Sequence, residues 1–266
     1  MTQNSEIITL GQFTPNYRSA IELLELYDED LLCTFQLFKD SPTCTAFPSF
    51  FTGRFSDPAI QARLLAANLA GQGVFFMVNG GNAKGRDAES VTSIRALVAD
   101  LDGAPIEPVL SCELEPTIII ESSPGKYQAH WLIEPIAINE QNRKQWAQKF
   151  KALQISLAHK FNADASVNDI ARVFRVPGFL HQKKEPFETK VFERFRFQPY
   201  KLDAVISRLG LNNAAPKESQ ERITLKDCKP SERHEFLMRH GARAIALGLS
   251  PEESHVYVSA LNQKYC

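Results

Sequence analysis

Two carboxylates, Asp100 and Asp102, stand one residue apart at the end of an apolar segment, residues 93–103. Side chains alternate faces along a strand, so both carboxylates point the same way and Leu101 turns into the opposite layer. Like charges on one face are costly to bury unpaired, and hard oxygen ligands suit Mg²⁺ or Mn²⁺. From these residues alone, a strand end entering a solvated Asp-Gly turn remains an open alternative.

A hairpin with a polar turn follows this segment. The pattern predicts strands over residues 117–122 and 128–133, joined by the turn Ser123-Pro-Gly-Lys126. Gln128 and His130 share one face of the returning strand, by the same period of two. The turn thus presents Ser, Gly and Lys beside two polar side chains.

Further acidic residues occur around position 166. Ser166 and Asp169 have the spacing of a capping box and predict the start of a short helix, which is a sufficient structural explanation for Asp169. Asp164 lies outside that helix and has no such explanation. It is therefore the stronger candidate for an acidic site residue.

Arginines follow on the same predicted helix. Arg172 and Arg175 are three residues apart and would share one helical face before Pro177-Gly178 ends the helix. Such a pair suits an anion with several oxygens, for example a triphosphate, and Lys183 extends the basic run. An ion pair of Arg172 with Asp169 or Asp164 is the open alternative.

The elements that position these residues are those of an ordinary folded protein. Of 266 residues 44% are hydrophobic, and the net charge is −1, so a polyanion site must be a local basic patch beside an acidic one. Scattered cysteines without ligand spacing argue against a zinc ribbon or a disulfide scaffold and predict a reducing, cytoplasmic location. No signal peptide or membrane-length apolar run is recognisable.

The remaining pattern predicts several helices and strands. Helices are expected over residues 17–27, 58–70, 139–160 and 200–209, and strands over 31–38, 73–79 and 187–195, with loops over 39–55 and 80–86. The glycine-rich loop over 80–86 could embrace phosphate, but it does not match the Walker pattern and is more often only a loop. A linker over 211–225 and helices from about residue 231, the second opening at Ser250, complete the chain. We expect this helical region to continue beyond Cys266.

Four of these segments occur in the order of a known family. Residues 99–103, 121–131, 162–164 and 171–179 resemble the motifs of the archaeo-eukaryotic primase superfamily, in its RepB-like plasmid and phage branch. The resemblance implies an α+β fold, with an RRM-like mixed or antiparallel sheet flanked by helices and a small C-terminal helical module. It implies a primase-polymerase catalytic domain over 1–210, a linker over 211–225 and the helical module over 226–266.

The resemblance also implies a role for each site residue. Asp100, Asp102 and Asp164 would be catalytic and would hold two Mg²⁺ or Mn²⁺ ions, with Asp169 as the weaker rival for the third position. Many superfamily members carry histidine where Gln128 stands, so His130 is a second-choice nucleotide contact. The expected contacts to the nucleotide and template phosphates are Ser123, Gly125, Lys126, Gln128, Arg172, Arg175 and Lys183.

The activity implied is that of a DNA-dependent primase or polymerase of a mobile-element replication protein. It would make or extend short primers on single-stranded DNA from nucleoside triphosphates by two-metal nucleotidyl transfer, with a helicase domain or partner C-terminal to this chain. A non-catalytic module that binds single-stranded DNA or a replication origin is the rival. A nickase is disfavoured because no H-x-H pair occurs, and the absence of a Walker-type loop excludes a helicase within this sequence.

Overall fold

The structure is a computed structural model that describes residues 13–212, 237–238, 240–241 and 250–265. The chain divides into two compact units, residues 1–216 and 217–266. The predicted boundaries at 210 and 225 stay a prediction, because the linker and the helix expected from about residue 231 lie largely outside the described residues. No helix within the described ranges has the length and apolarity needed to cross a membrane.

Helices and strands alternate through the first unit. The helices are α1 (Tyr17–Tyr27), α2 (Pro58–Leu69), α3 (Glu107–Leu110), α4 (Arg143–Phe161) and α5 (Leu202–Leu209), and α6 (Pro251–Tyr265) belongs to the second unit. The strands are β1 (Leu32–Lys39), β2 (Ser49–Arg54), β3 (Gln72–Met77), β4 (Gly80–Gly81), β5 (Val91–Leu101), β6 (Ile118–Ser123), β7 (Lys126–Ala137), β8 (Val173–Arg175), β9 (Leu180–His181), β10 (Phe187–Glu188) and β11 (Lys190–Arg194).

Local capping fixes several helix ends. The Asp57 side chain accepts the Ala59 N–H at the start of α2, with Pro58 in its first turn. Asn162 ends α4 in the left-handed conformation, with φ of 53°. A capping box opens α6, since the Glu253 N–H donates to Ser250 Oγ at 3.2 Å and the Ser250 N–H donates to Glu253 Oε2 at 2.8 Å. The helix predicted to open at Ser250 is confirmed.

Two antiparallel sheets build most of the first unit, and β10 and β9 pair as a short third sheet. The first sheet has the strand order β2-β1-β3-β8, and the central sheet has the order β11-β6-β7-β5-β4. The strands of each sheet pair antiparallel. The predicted α+β class with an antiparallel sheet flanked by helices is confirmed.

The side chains of β5 point alternately into two hydrophobic cores. Leu97 and Leu101 belong to the first core, which includes the buried face of α4, whereas Ala96 and Val98 belong to a second core with α1 and the first sheet. Asp100 continues the face of Ala96 and Val98 at the end of the strand, because the side-chain period is two. The carboxylate therefore emerges on the side of the central sheet that faces the first sheet.

Two local predictions were wrong. Residues 166–176 do not form a helix: the Asp164 carboxylate accepts the Ser166 N–H at 2.8 Å and its hydroxyl at 2.9 Å, which builds a turn, and Val173–Arg175 then pairs with β3 as strand β8. The loop expected over 39–55 contains β2, which pairs with β1 in full register. In both places an open strand edge decided the conformation of an ambiguous segment.

Candidate active site

A cleft of about 620 Å³ lies between residues of the two sheets. The predicted site residues that line it are Asp100, Asp102, Ser123, Lys126, Gln128, Arg172, Arg175 and Lys183, and Asp169 lines it as well. Residues of the first sheet, Phe38 and Phe75 among them, complete the lining. The volume is that of a site for a small molecule (about 300–1,000 Å³).

Asp100 and Asp102 differ sharply in environment although they share a face. Burial, together with the charges of Asp102 and Asp164, raises the pKa of Asp100 from 3.8 to about 6, against the opposing effects of Arg172 and of a hydrogen bond from Gln128. Asp102 is exposed and forms an ion pair with Lys126, and the hydrogen bond from this ammonium group lowers the pKa of Asp102. The site thus holds one partly desolvated carboxylate beside a hydrated one.

The hairpin brings Gln128 next to Asp100. The two residues are direct partners in the β5–β7 ladder, and Gln128 is buried. Its side-chain oxygen Oε1 has no hydrogen-bond partner among the described residues. A buried acceptor of this kind is costly unless a ligand or water supplies a donor.

Gly125 serves the turn rather than the cleft. Its φ is 71°, a conformation that favours glycine, and its N–H donates to Glu121 Oε1 at 3.1 Å. That hydrogen bond occupies the donor with which Gly125 could contact a phosphate. We therefore assign Gly125 to the turn geometry that presents Lys126.

The two candidates for the third acid lie in different positions. The Asp164 N–H donates to the carbonyl oxygen of Asp100 at 2.9 Å, while Asp169 lines the cleft and accepts from Arg172 Nη1 at 3.3 Å. Across the part of the chain that the structure describes, no group of three His, Cys, Asp or Glu side chains is arranged as a metal site. The ligand set with three aspartates stays a prediction.

His130 lies below the cleft. Its side chain is fully buried, its Nδ1 lies 2.6 Å from the Tyr27 hydroxyl, and its ring packs against Phe174. Burial lowers the pKa of His130 to about 3, so the ring is neutral. His130 shares a strand face with Gln128 as predicted, but it lies deeper in the sheet, and we do not retain it as a nucleotide contact.

Comparison with known proteins agrees with this architecture. Residues 83–201 match the family described as the RepB DNA-primase N-terminal domain. Over these residues the chain matches a primase domain of the RepB-like branch. The predicted family is confirmed, and a role as a replication primase has direct support.

Solved structures resemble the primase domain at low sequence identity. The primase-polymerase domain of cyanophage S-2L is 17% identical, with a TM-score of 0.57, over 73% of this chain and 98% of that one. The catalytic domain of primase RepB′ in complex with initiator DNA is 17% identical over 72% of this chain and 94% of that one, with a TM-score of 0.46. A second RepB′ primase structure is 18% identical over 92% of this chain and 94% of that one, with a TM-score of 0.44. No curated protein matches the sequence.

A buried ion pair supports one side of the primase cleft. Arg175 donates to Asp40 from Nη2 at 2.7 Å and from Nη1 at 3.2 Å, and the Gln182 N–H donates to the same carboxylate at 2.7 Å. Both charged side chains are almost inaccessible to solvent. Arg175 was predicted to contact phosphate, yet its charge is already matched by that of Asp40. The sequence analysis did not single out Asp40, which precedes the region matched by the family.

Sequence reasoning also missed His181. Its Nδ1 lies 2.9 Å from the Ser122 carbonyl oxygen, which can only accept, so Nδ1 carries the proton. Burial of the ring lowers the pKa of His181, and the positive charge of Arg175 lowers it further. Its Nε2 has no hydrogen-bond partner in the described ranges, and the ring lines the cleft. Only the basic run after Pro177-Gly178 pointed to this residue.

Proposed function

We propose that the primase domain makes or extends primers on single-stranded DNA by divalent-metal-dependent nucleotidyl transfer. The observation that carries this proposal is the joint presence of Asp100, Asp102, Lys126, Arg172 and Lys183 in one cleft. Carboxylates that can hold cations and cations that can hold phosphates are the two requirements of phosphoryl transfer.

The donor set fits a hard divalent cation. Asp100 and Asp102 share a strand face, and the Asp100 carboxylate is mostly withdrawn from water beside two other negative charges, Asp102 and Asp164. A bound Mg²⁺ or Mn²⁺ ion would offset the repulsion between these negative charges. We propose Asp164 as the third ligand. When bound, the ions supply charge that favours ionisation of the attacking 3′-hydroxyl and stabilises the departing pyrophosphate.

The cationic residues are already positioned by carboxylates. Lys126 contacts Asp102, and Arg172 contacts Asp169, in both cases through groups that remain partly exposed. An exposed pair of this kind has little net stability, so each cation can exchange its carboxylate for a nucleotide phosphate at small cost. Gln128 Oε1 offers an acceptor to a hydroxyl group of the nucleotide or primer.

The catalytic proposal has a direct test. Wild type and the double variant Asp100→Ala/Asp102→Ala are incubated with single-stranded template, labelled ribo- or deoxyribonucleotides, and Mg²⁺ or Mn²⁺. We expect product from the wild type alone, with the labelled sugar reporting nucleotide preference. Equal product from both proteins would remove the aspartates from the mechanism. No product from either, with binding of single-stranded DNA retained, would favour the non-catalytic binding module.

Lys126 provides a second test of the same cleft. We expect Lys126→Ala to raise KM for the nucleotide about 10- to 100-fold, because the variant loses one charge-assisted hydrogen bond to phosphate. Lys190→Ala is the matched control, because Lys190 is an exposed lysine that pairs with Glu121 at 3.1 Å and does not line the cleft. An unchanged KM in Lys126→Ala, measured by steady-state incorporation, would contradict the assignment.

A further inference from the structure

Two aromatic rings of the first sheet face the same cleft as the acidic and basic residues. Phe38 on β1 and Phe75 on β3 have ring centroids 5.5 Å apart at an interplanar angle of 72°. Both side chains are partly exposed and both line the cleft. The cleft therefore combines a charged lining, to which both sheets and the segments around β8 and β9 contribute, with an aromatic lining from the first sheet.

The placement of these rings is not that of core residues. On β1 and β3 the second hydrophobic core takes Phe35, Leu37, Val74 and Phe76, and strand alternation turns Phe38 and Phe75 to the other face. Across the described residues neither ring belongs to either hydrophobic core. Large aromatic side chains that line a polar cleft without joining a core favour a role in ligand binding.

The structure holds Phe75 firmly in position. The guanidinium carbon of Arg175 lies 4.6 Å from the Phe75 ring centroid, and Asp40 fixes that guanidinium group. Gly73 makes this close packing possible, since a Cβ there would lie 2.8 Å from Phe75 Cε2 and 3.0 Å from Arg175 Nη1. Arg86 lies over Phe38, with its guanidinium carbon 5.7 Å from the ring centroid. A ring held in this way loses little conformational entropy when a ligand binds.

We propose that Phe38 and Phe75 form the subsite for the nucleobase of the incoming nucleotide. This rests on the proposed function, which assigns the phosphates to the charged lining of the same cleft. Stacking on an aromatic ring accepts any base, because every base has a π face, and this suits an enzyme that copies a template. Base identity is then left to pairing with the template.

Comparing two ligands separates base contacts from phosphate contacts. Binding of ATP and of inorganic tripolyphosphate to the full chain is measured by calorimetry with Mg²⁺, for wild type, Phe38→Ala, Phe75→Leu and Phe75→Tyr. We expect Kd for ATP to rise about 10-fold in Phe38→Ala and Phe75→Leu, because each variant loses one stacking contact with the base. Kd for ATP should change little in Phe75→Tyr, which keeps the ring. Kd for tripolyphosphate should stay within about 2-fold in all of them, since the charged lining is intact.

Phe192→Ala is the matched control. Phe192 is 41% exposed and packs edge-to-face on Tyr127 outside the cleft, so both affinities should match wild type. Melting temperatures show whether each variant is folded, and Phe38→Ala decides the matter if Phe75→Leu is unstable. Loss of both ligands in parallel, or of neither, would overturn the subsite. Weaker binding of single-stranded DNA with unchanged ATP affinity would also overturn it, in favour of a template contact.

The inference and the proposed function can fail separately. A wild type that binds ATP with dependence on Phe38 and Phe75, yet forms no product, would refute catalysis and keep the subsite. A wild type that forms product but binds ATP no better than tripolyphosphate would refute the subsite and keep catalysis.

Discussion

Asp100→Asn is expected to abolish primer synthesis and, in metal-free buffer near neutral pH, to raise the stability of the primase domain. Activity is lost because a neutral amide removes one negative charge from the proposed ligand set and binds a hard cation more weakly than a carboxylate does. Stability rises because the ionised Asp100 carboxylate is partly desolvated beside the charges of Asp102 and Asp164, whereas Asn keeps an oxygen that can accept the hydrogen bond from Gln128. A gain in melting temperature with a loss of function is the signature of a residue retained for its chemistry.

The pH dependence of this effect has a definite sign. The pKa of Asp100 is raised by burial from 3.8 to about 6, so between these values the folded protein keeps a proton that the unfolded chain has released. The free energy of unfolding of the wild type therefore falls as pH rises through this window, by up to about 3 kcal/mol. In EDTA at about pH 8, Asp100→Asn should melt roughly 5–10 °C above the wild type, and the difference should vanish near about pH 4.

Asp102→Asn is the matched control within the same site. Its carboxylate is 62% exposed and ion-paired with Lys126, so the change should abolish activity without raising the melting temperature. Mn²⁺ should stabilise the wild type but neither variant, because ligand binding stabilises only the state that binds it. A melting temperature of Asp100→Asn below that of the wild type in EDTA would show that desolvation does not dominate at Asp100.

Asp40→Ala is expected to destabilise the primase domain by about 3–5 kcal/mol. The substitution leaves the Arg175 guanidinium buried without its carboxylate, and it also leaves the Gln182 N–H without its acceptor. Urea denaturation followed by tryptophan fluorescence measures this directly, since the two tryptophans of the sequence, Trp131 and Trp146, both belong to this unit.

An exposed ion pair provides the comparison for Asp40. Asp30 pairs with Arg54 at 3.0 Å with both side chains largely exposed, so Asp30→Ala should cost less than about 1 kcal/mol. The double variant Asp40→Leu/Arg175→Met should recover much of the stability lost in Asp40→Ala, because no charge is left buried. Equal destabilisation by Asp40→Ala and Asp30→Ala would refute the buried-pair assignment.

The charged lining of the cleft was largely predictable because its positions follow from local rules. A period of two on β5 put Asp100 and Asp102 on one face, and the Ser-Pro-Gly-Lys turn joined β6 to β7, the strand on which Gln128 pairs with Asp100 of β5. Arg172 was placed beside Asp169 as an open alternative, and the two do form an ion pair. The helix assumed for Arg172 and Arg175 was wrong, since a short segment beside an open strand edge takes its conformation from its partner.

Depth and long-range pairing could not be predicted from the sequence. Gln128 and His130 are equivalent by alternation, and both are buried. They differ in what they contact, since His130 lies against the hydroxyl of Tyr27, 103 residues away in the chain, whereas Gln128 lines the cleft. Asp40 is 135 residues from the arginine that it holds. Such contacts depend on which elements pack together, and a pattern of local spacing carries no information about that packing.

Asp100 and Asp102 illustrate this difference between local pattern and packing. The sequence by itself determined that Asp100 and Asp102 share a face, because backbone geometry alone sets the alternation of a strand. Only the tertiary structure decided that they differ, because the assembled fold partly desolvates Asp100, whose carbonyl oxygen accepts from Asp164, and leaves Asp102 exposed to Lys126. Desolvation is a property of the assembled fold, and so is the chemistry that we propose for this cleft.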